Sequence, residues 1–321
     1  MLETLNFVKG AVGKKGAAPI LSHFHIKGGR ILATNGNITI SAPTDLSIEA
    51  KVPASRFIQA MRSVGKKEYE IKTTQKNLIV KAGSFRVQLP LTTIAFPEVE
   101  PGDYNYELPE TFLAHLAVAL PFIADDPSRP WACGLSIKGG CIYATDNTSL
   151  IQIMADIHTD LAFVLPIYAV EELIRMKTVP GSVSVDECSA TFHYSDTSWF
   201  RTNLFTQPWP DLDKHLEGVE VPDYMHIQLE MIAEIKNLIP FCDDSNKPTL
   251  HFNGSTVATD DGPTKASVKL TGFDGTGMYN AHHLLRVLAV AEFANFTVYP
   301  KGVPFMGLNG LLKGLLTGVR K

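Results

Sequence analysis

The chain has 321 residues, 45% of them hydrophobic and 19% charged, with a formal net charge of −4. This is the composition of an ordinary globular protein, and it excludes the compositional extremes of collagen-like and disordered chains. No apolar run approaches the roughly 20 residues of a membrane span, and the N-terminus lacks the basic-then-apolar profile of a signal peptide. Cys133, Cys141, Cys188 and Cys242 show no Cys-x-x-Cys spacing, so reduced thiols in a cytoplasmic protein are the expectation.

Residues 2–12 carry a helix-like spacing of apolar side chains (Leu2, Leu5, Phe7, Val8, Val12), ended by Gly13. Lys14-Lys15-Gly16 lacks the full spacing of a phosphate loop, so no nucleotide site is expected there. Ile20–Ile26 reads as a strand with His23 and His25 on one face. No carboxylate or cysteine lies near them in sequence, so a solvated face is expected rather than a metal site. Strands at 37–42 and 46–52 follow, and Pro53 opens a helix at the position where its missing N–H costs nothing. Phe57, Ile58, Met61 and Val64 form that helix's apolar stripe, which leaves Arg56, Arg62, Lys66 and Lys67 on a basic exposed side. Three alternating strands close this part, the last through Phe85, Val87 and Leu89.

A helix over 111–123 comes next, followed by the polar loop 125–131 with one aromatic residue, Trp131. Strands at 133–137, 141–145, 151–156 and 162–165 lead to a helix at 167–177, and strands at 183–185, 190–194 and 199–205 complete the middle third. The last third repeats the order. A helix at 228–241 turns Met231, Ile232, Ile235, Leu238 and Ile239 inward, and a later helix buries Leu284, Leu285 and Leu288. Glycines at 302, 307, 310, 314 and 318 predict an irregular ending.

Three phrases recur in step. Lys138-Gly-Gly-Cys-Ile-Tyr-Ala-Thr-Asp146, a turn, a strand and a polar corner, matches Lys27-Gly-Gly-Arg-Ile-Leu-Ala-Thr34-Asn35 and Asn253-Gly-Ser-Thr-Val-Ala-Thr259-Asp260. Val52-Pro53-Ala-Ser-Arg-Phe returns 113 residues later as Leu165-Pro166-Ile-Tyr-Ala-Val. The Phe96-Pro97 turn returns as Trp209-Pro210, again 113 residues on. Repetition outranks a length prior, so three consecutive domains of one architecture are expected, at 1–103, 104–221 and 222–321. Each reads helix, strands, helix, strands, an α+β unit with two helices packed on antiparallel sheet.

These phrases, in this order, resemble the bacterial-type DNA sliding clamp, the beta subunit family of DNA polymerase III, with this chain as a divergent phage or plasmid member. Gly16-Ala-Ala-Pro19-Ile20-Leu21, Val52-Pro-Ala-Ser-Arg-Phe57, Ala95-Phe-Pro97, Ala144-Thr-Asp146 and Trp209-Pro-Asp211 carry the resemblance. It implies three DNA-clamp domains, closure of two copies into a ring around double-stranded DNA, and tethering of the replicative polymerase without catalytic chemistry. The DNA-facing lumen candidates are Lys9, Lys15, Arg56, Arg62, Lys66, Arg129, Trp131, Arg175, Lys177, Lys236, Lys247 and Arg286. Basic side chains there give sequence-independent attraction to phosphates. Glu230 and Glu234 weaken this lining in the third repeat.

The resemblance also implies a groove where polymerase and clamp loader insert a linear motif. Ala132, Thr145, Asn147, Thr148, Ser149 and Leu150 form one wall, and Leu316, Thr317, Gly318, Val319 and Arg320 the other. Asn147-Thr148-Ser149 and the C-terminal Thr317-Gly318-Val319-Arg320-Lys321 depart from the family's residues at these places, so a different motif is expected. A homodimer is implied, with Phe85, Ile239 and Phe241 as apolar contacts. The alternative is a repeat scaffold that binds proteins without encircling DNA. An enzyme is not expected: Asp125-Asp126, Asp243-Asp244 and Asp260-Asp261 read as corners and helix ends. His282 and His283 point to different helix faces, and no catalytic, metal or cofactor motif is present.

Overall fold

The repeated turn-strand-corner phrases become antiparallel hairpins whose outer strands seek partners elsewhere in the chain. In this computed structural model residues 1–14, 18–102, 106–219, 224–259 and 263–319 are described. The expected domain limits at 103/104 and 221/222 fall outside or at the edge of these stretches. The chain divides into two compact units, Met1–Glu110 with Glu171–Thr206, and Thr111–Val170 with Gln207–Lys321.

The first unit holds an eight-stranded sheet in the order Ala50–Pro53, His23–Lys27, Arg30–Thr34, Ile38–Pro43, Trp199–Asn203, Ser189–His193, Ser182–Val185 and Tyr106–Glu107. Its two halves come from different repeats and meet where Ile40 lies opposite Phe200 and Ser41 opposite Trp199. A separate three-stranded sheet runs Glu70–Thr73, Asn77–Ala82, Phe85–Pro90. The helix Ala54–Val64 buries Ala54, Phe57, Ala60, Met61 and Val64, a stripe through Ala60 rather than through the half-buried Ile58. Gly65 caps it at a φ of +62°, a conformation that favours glycine.

The second unit repeats this plan. Its eight strands run Ala162–Pro166, Gly134–Lys138, Cys141–Thr145, Ser149–Met154, Leu312–Leu316, Val303–Gly307, Phe293–Ala294, Met225–His226. A four-stranded sheet follows the order Ser267–Lys269, Thr256–Thr259, Thr249–Gly254, Gly275–Asn280. Phe112–Ala119, the short Asp213–Leu216, Leu229–Leu238 and Ala281–Leu288 are its complete α-helices among the described residues, and the division between the units falls within the helix Ile167–Met176. No helix among the described residues is long and apolar enough to cross a membrane.

Several expectations are corrected by local physics. The helices expected over 111–123 and 228–241 tighten into 3-10 turns at Leu120–Phe122 and Ile239–Phe241, because Pro121 and Pro240 have no N–H to continue the α ladder. The strand expected at 46–52 is confined to Ala50–Pro53. Val287 is buried in the last helix while Leu285 is only half-buried. His25 is not fully solvated; its ring packs on Phe96 at 4.9 Å between centroids.

The glycine-rich ending is a regular hairpin, Val303–Gly307 with Leu312–Leu316. Its glycines permit close packing. A Cβ on Gly314 would lie 2.3 Å from the Phe305 ring and 2.6 Å from the Leu150 carbonyl oxygen. Gly314→Ala is therefore expected to destabilise the fold by about 1–3 kcal/mol, the usual range for overpacking. Chemical denaturation checks this, and an unchanged midpoint would mean that the hairpin yields freely at this point.

Candidate functional site

The corner after Cys141–Thr145 is held by its own side chains. Asp146 Oδ1 accepts hydrogen bonds from the backbone N–H of Thr148 (2.9 Å) and Ser149 (2.7 Å) and from Ser149 Oγ (2.9 Å). Thr145 Oγ1 donates to the Ser149 carbonyl (2.7 Å) and accepts from Asn147 N (3.0 Å). The first repeat builds the same corner with Thr34, whose hydroxyl donates to the Ile38 carbonyl, and Asn35, whose Oδ1 accepts from Asn37 N and Ile38 N. A Thr-Asx pair thus substitutes side-chain acceptors for the missing ladder carbonyls.

The second-repeat corner also reaches a helix. Asp146 Oδ2 receives His283 Nδ1 at 2.9 Å and also pairs with Arg286 Nη1, both from the helix Ala281–Leu288. Asn280 caps that helix by accepting from His282 N and His283 N, which sets the first turn and so the direction of His283. Burial alone pushes the Asp146 carboxyl up. The hydrogen bond and charge of His283 and the corner N–H groups outweigh burial and hold the carboxyl at about 2. One carboxylate therefore joins a hairpin corner of the middle third to a helix of the last third.

Beside this corner lies a cleft of about 230 Å³ within the second unit. Trp131, Leu150, Leu212 and Leu315 supply apolar walls, while Thr145, Asn147, Thr148, Ser149, His215 and Thr317 supply polar ones. Leu150 and Leu212 belong to an apolar cluster with Tyr143, Leu216, Val219 and Trp209 that lies under the cleft. Trp131 stands edge-on to Trp209, 5.4 Å between ring centroids. The opposite wall is fixed by Thr317, whose N–H and hydroxyl both donate to the Thr148 carbonyl (2.8 and 2.9 Å). Val319 N donates to the Met278 carbonyl, and Tyr299 Oη donates to the Val319 carbonyl. Thr148 and Thr317 also border a second, polar cavity of about 430 Å³, onto which Gly318 and Val319 open.

Of the residues named for the groove, Thr145, Asn147, Thr148, Ser149, Leu150 and Thr317 come together here, while Gly318 and Val319 line only the second cavity. Leu316 is buried in the core and Leu315 faces the cleft, because adjacent strand residues point to opposite sides. Ala132 is fully buried and does not line the cleft. Arg320 lies outside the described residues. Leu212, His215, Leu315, Asp146 and His283 belong to the site and were not among its named residues.

The residues named for DNA contact separate into groups. Lys9, Arg56, Arg62, Lys66, Arg129, Lys177, Lys236 and Lys247 are exposed, and Lys15 lies outside the described residues. Trp131 is in the cleft. Arg175 is committed to structure: it pairs with Glu172 and donates to the carbonyls of Asn6 (3.0 Å) and Phe7 (2.8 Å). Arg286 is paired with Asp146. Of the residues named for the dimer, Phe85 and Ile239 are half-buried and Phe241 is 49% exposed. Among the described residues no cluster of three or more His, Cys, Asp or Glu side chains could hold a metal ion.

No sequence-family profile matches the chain, and no curated protein matches its sequence. Solved structures do match it, along its entire length. A DNA polymerase sliding clamp from Pseudomonas aeruginosa superposes with a TM-score of 0.85 at 18% identity, covering 100% of this chain and 97% of that one. A DNA polymerase sliding clamp from Bacillus subtilis gives 0.81 at 16%, and the DNA polymerase III beta subunit of Thermotoga maritima 0.80 at 17%, with the same coverage. The chain has the DNA-clamp fold throughout.

The Asp146 pair has a pH signature. A carboxyl depressed to about 2 from an ordinary 3.8 contributes stability above pH 4 that is lost as pH falls towards 2. The shift corresponds to about 2 kcal/mol. Asp146→Asn is expected to lower neutral-pH stability by about that amount and to flatten the fall between pH 4 and 2. Urea titrations at several pH values check this, and parallel pH profiles for the two proteins would contradict it.

Proposed function

We propose that the protein is a DNA sliding clamp, a processivity factor whose copies close into a ring around duplex DNA and tether the replicative polymerase and its clamp loader. The observation that carries this reading is the match of the whole chain to DNA-clamp structures at TM-scores of 0.80 to 0.85. On this reading the three repeats at 1–103, 104–221 and 222–321 are the ring's domains. The protein has no catalytic step and acts in the cytoplasm.

The repetition of strand edges supports ring closure. Ile38–Pro43 of the first repeat pairs with Trp199–Asn203 of the second, and Ser149–Met154 of the second with Leu312–Leu316 of the third. The strand that follows the corner in the third repeat, Ser267–Lys269, is an edge, and so is Phe85–Pro90, the last strand of the first repeat. Pairing these two edges between copies completes the pattern and protects both from uncontrolled association. The exposed Phe241 adds apolar surface to such a contact. At micromolar concentration the protein is expected at twice its chain mass of 35.2 kDa, and Phe241→Asp is expected to give folded monomers. Light scattering on the eluting peak reads both, and a monomeric wild type would contradict closure.

Exposed cations on and beside helices, in a chain of net charge −4, fit a ring that holds DNA mainly by topology. Loaded rings should persist on nicked circular DNA and leave as soon as the circle is cut. Tight, sequence-specific binding to a short linear duplex would overturn the proposal. The cleft between Leu150 and Leu315 is the docking groove for a linear motif with one or two Leu or Phe anchors, since a few buried anchors carry most of such binding energy.

A further inference from the structure

The polar cavity that adjoins the apolar cleft has an uneven charge. Lys247, His282 and His283 line it, and among the described residues no acidic side chain does. Nearby acids are engaged or directed elsewhere. Asp146 is bound on one oxygen by the corner and on the other by His283 and Arg286. Asp244 Oδ1 accepts from Asn246 N and Lys247 N, and neither Asp243 nor Asp244 lines the cavity. The first N–H groups of the helix Ala281–Leu288 are already satisfied by Asn280 and by the Pro248 carbonyl, so the helix end offers no free donors. Lys247 and His282 are exposed, and among the described residues no acidic side chain pairs with Lys247.

The two cavities share Thr148 and Thr317 as a common wall. Beyond that wall the second cavity carries Lys247 and His282. We propose that the segment received by the cleft carries an aspartate or glutamate beside its apolar anchor, and that Lys247 and His282 select for that carboxylate. This rests on reading the cleft as a peptide groove. A phosphate of nucleic acid would satisfy Lys247 and His282 equally, but it has no use for the adjoining walls of Trp131, Leu150 and Leu315. Charge complementarity together with that continuity favours an acidic peptide.

The test is selection of a random peptide library on the immobilised full-length protein, repeated on Lys247→Glu/His282→Glu and on Lys247→Ala/His282→Ala. Both positions are exposed, and melting temperature with dimer mass verifies the fold of each variant. The wild type should enrich Leu or Phe anchors with Asp or Glu at one fixed spacing. The Glu variant should keep the anchors and exchange the acid for Lys or Arg, and the Ala variant should lose the preference. In a synthetic copy of the selected peptide, changing the acid to its amide should weaken wild-type binding about three- to tenfold and leave the Ala variant unaffected. Anchors without an acidic preference, or a preference that survives both variants, overturn the inference and leave the groove standing. Absence of any apolar anchor overturns the groove and the inference together. If the variants bind the selected peptide normally but lose affinity for duplex DNA, Lys247 reads phosphate and the inference fails.

Discussion

A β-sheet cannot end cheaply, because its last strand presents a row of backbone N–H and C=O groups that must be paired, hidden or left to water. Most of this architecture follows from that constraint. Each eight-stranded sheet is two four-stranded halves from successive repeats, joined where one half would otherwise end. The joints are intimate: Ile151 lies opposite Gly314, where the Leu150 carbonyl and the Phe305 ring leave no room for a side chain. Besides the end strands of the two eight-stranded sheets, the smaller sheets leave Glu70–Thr73, Phe85–Pro90, Ser267–Lys269 and Gly275–Asn280 as edges. On the proposed reading, pairing between copies covers two of these edges.

The candidate groove is a by-product of the second joint. Where the strands Ser149–Met154 and Leu312–Leu316 meet, the corner after Thr145 and the tail at Thr317–Val319 come side by side. The corner is shaped locally by Asp146 and Thr145, and Asp146 is then fixed to the last helix by His283 and Arg286. A buried carboxylate with this many donors is rigid, so both walls of the cleft are set before any partner arrives. Such preorganisation lowers the ordering cost of binding a flexible peptide.

The turns, corners and helix starts were legible because they rest on short-range chemistry. Glycine turns, Thr-Asx corners and the Pro53 and Pro166 helix starts each declare themselves within ten residues. The apolar stripe of the helix Ala54–Val64 was likewise legible, apart from the choice of Ala60 over Ile58. What was not legible depends on partners far away in sequence. Arg175 and Arg286 read as free cations on helices, yet Glu172 with the Asn6 and Phe7 carbonyls holds the first and Asp146 the second. Trp131 read as an exposed aromatic in a loop, and its partner is Trp209. Leu315 and Leu316 differ only in strand parity, and a glycine-rich segment does not reveal its register. The final glycines read as irregularity, although close approach to Val290, Phe305 and Tyr299 is what requires Gly307, Gly314 and Gly318.

The proposed ring requires Phe85–Pro90 to pair with Ser267–Lys269 between copies, and amide hydrogen exchange followed by mass spectrometry tests this most directly. The account predicts that peptides covering these two strands are protected at micromolar protein, and that both lose protection together on dilution, while Ser149–Met154 and Leu312–Leu316 stay protected throughout. Free exchange of both edge strands at every concentration, with the internal joints protected as before, would contradict it.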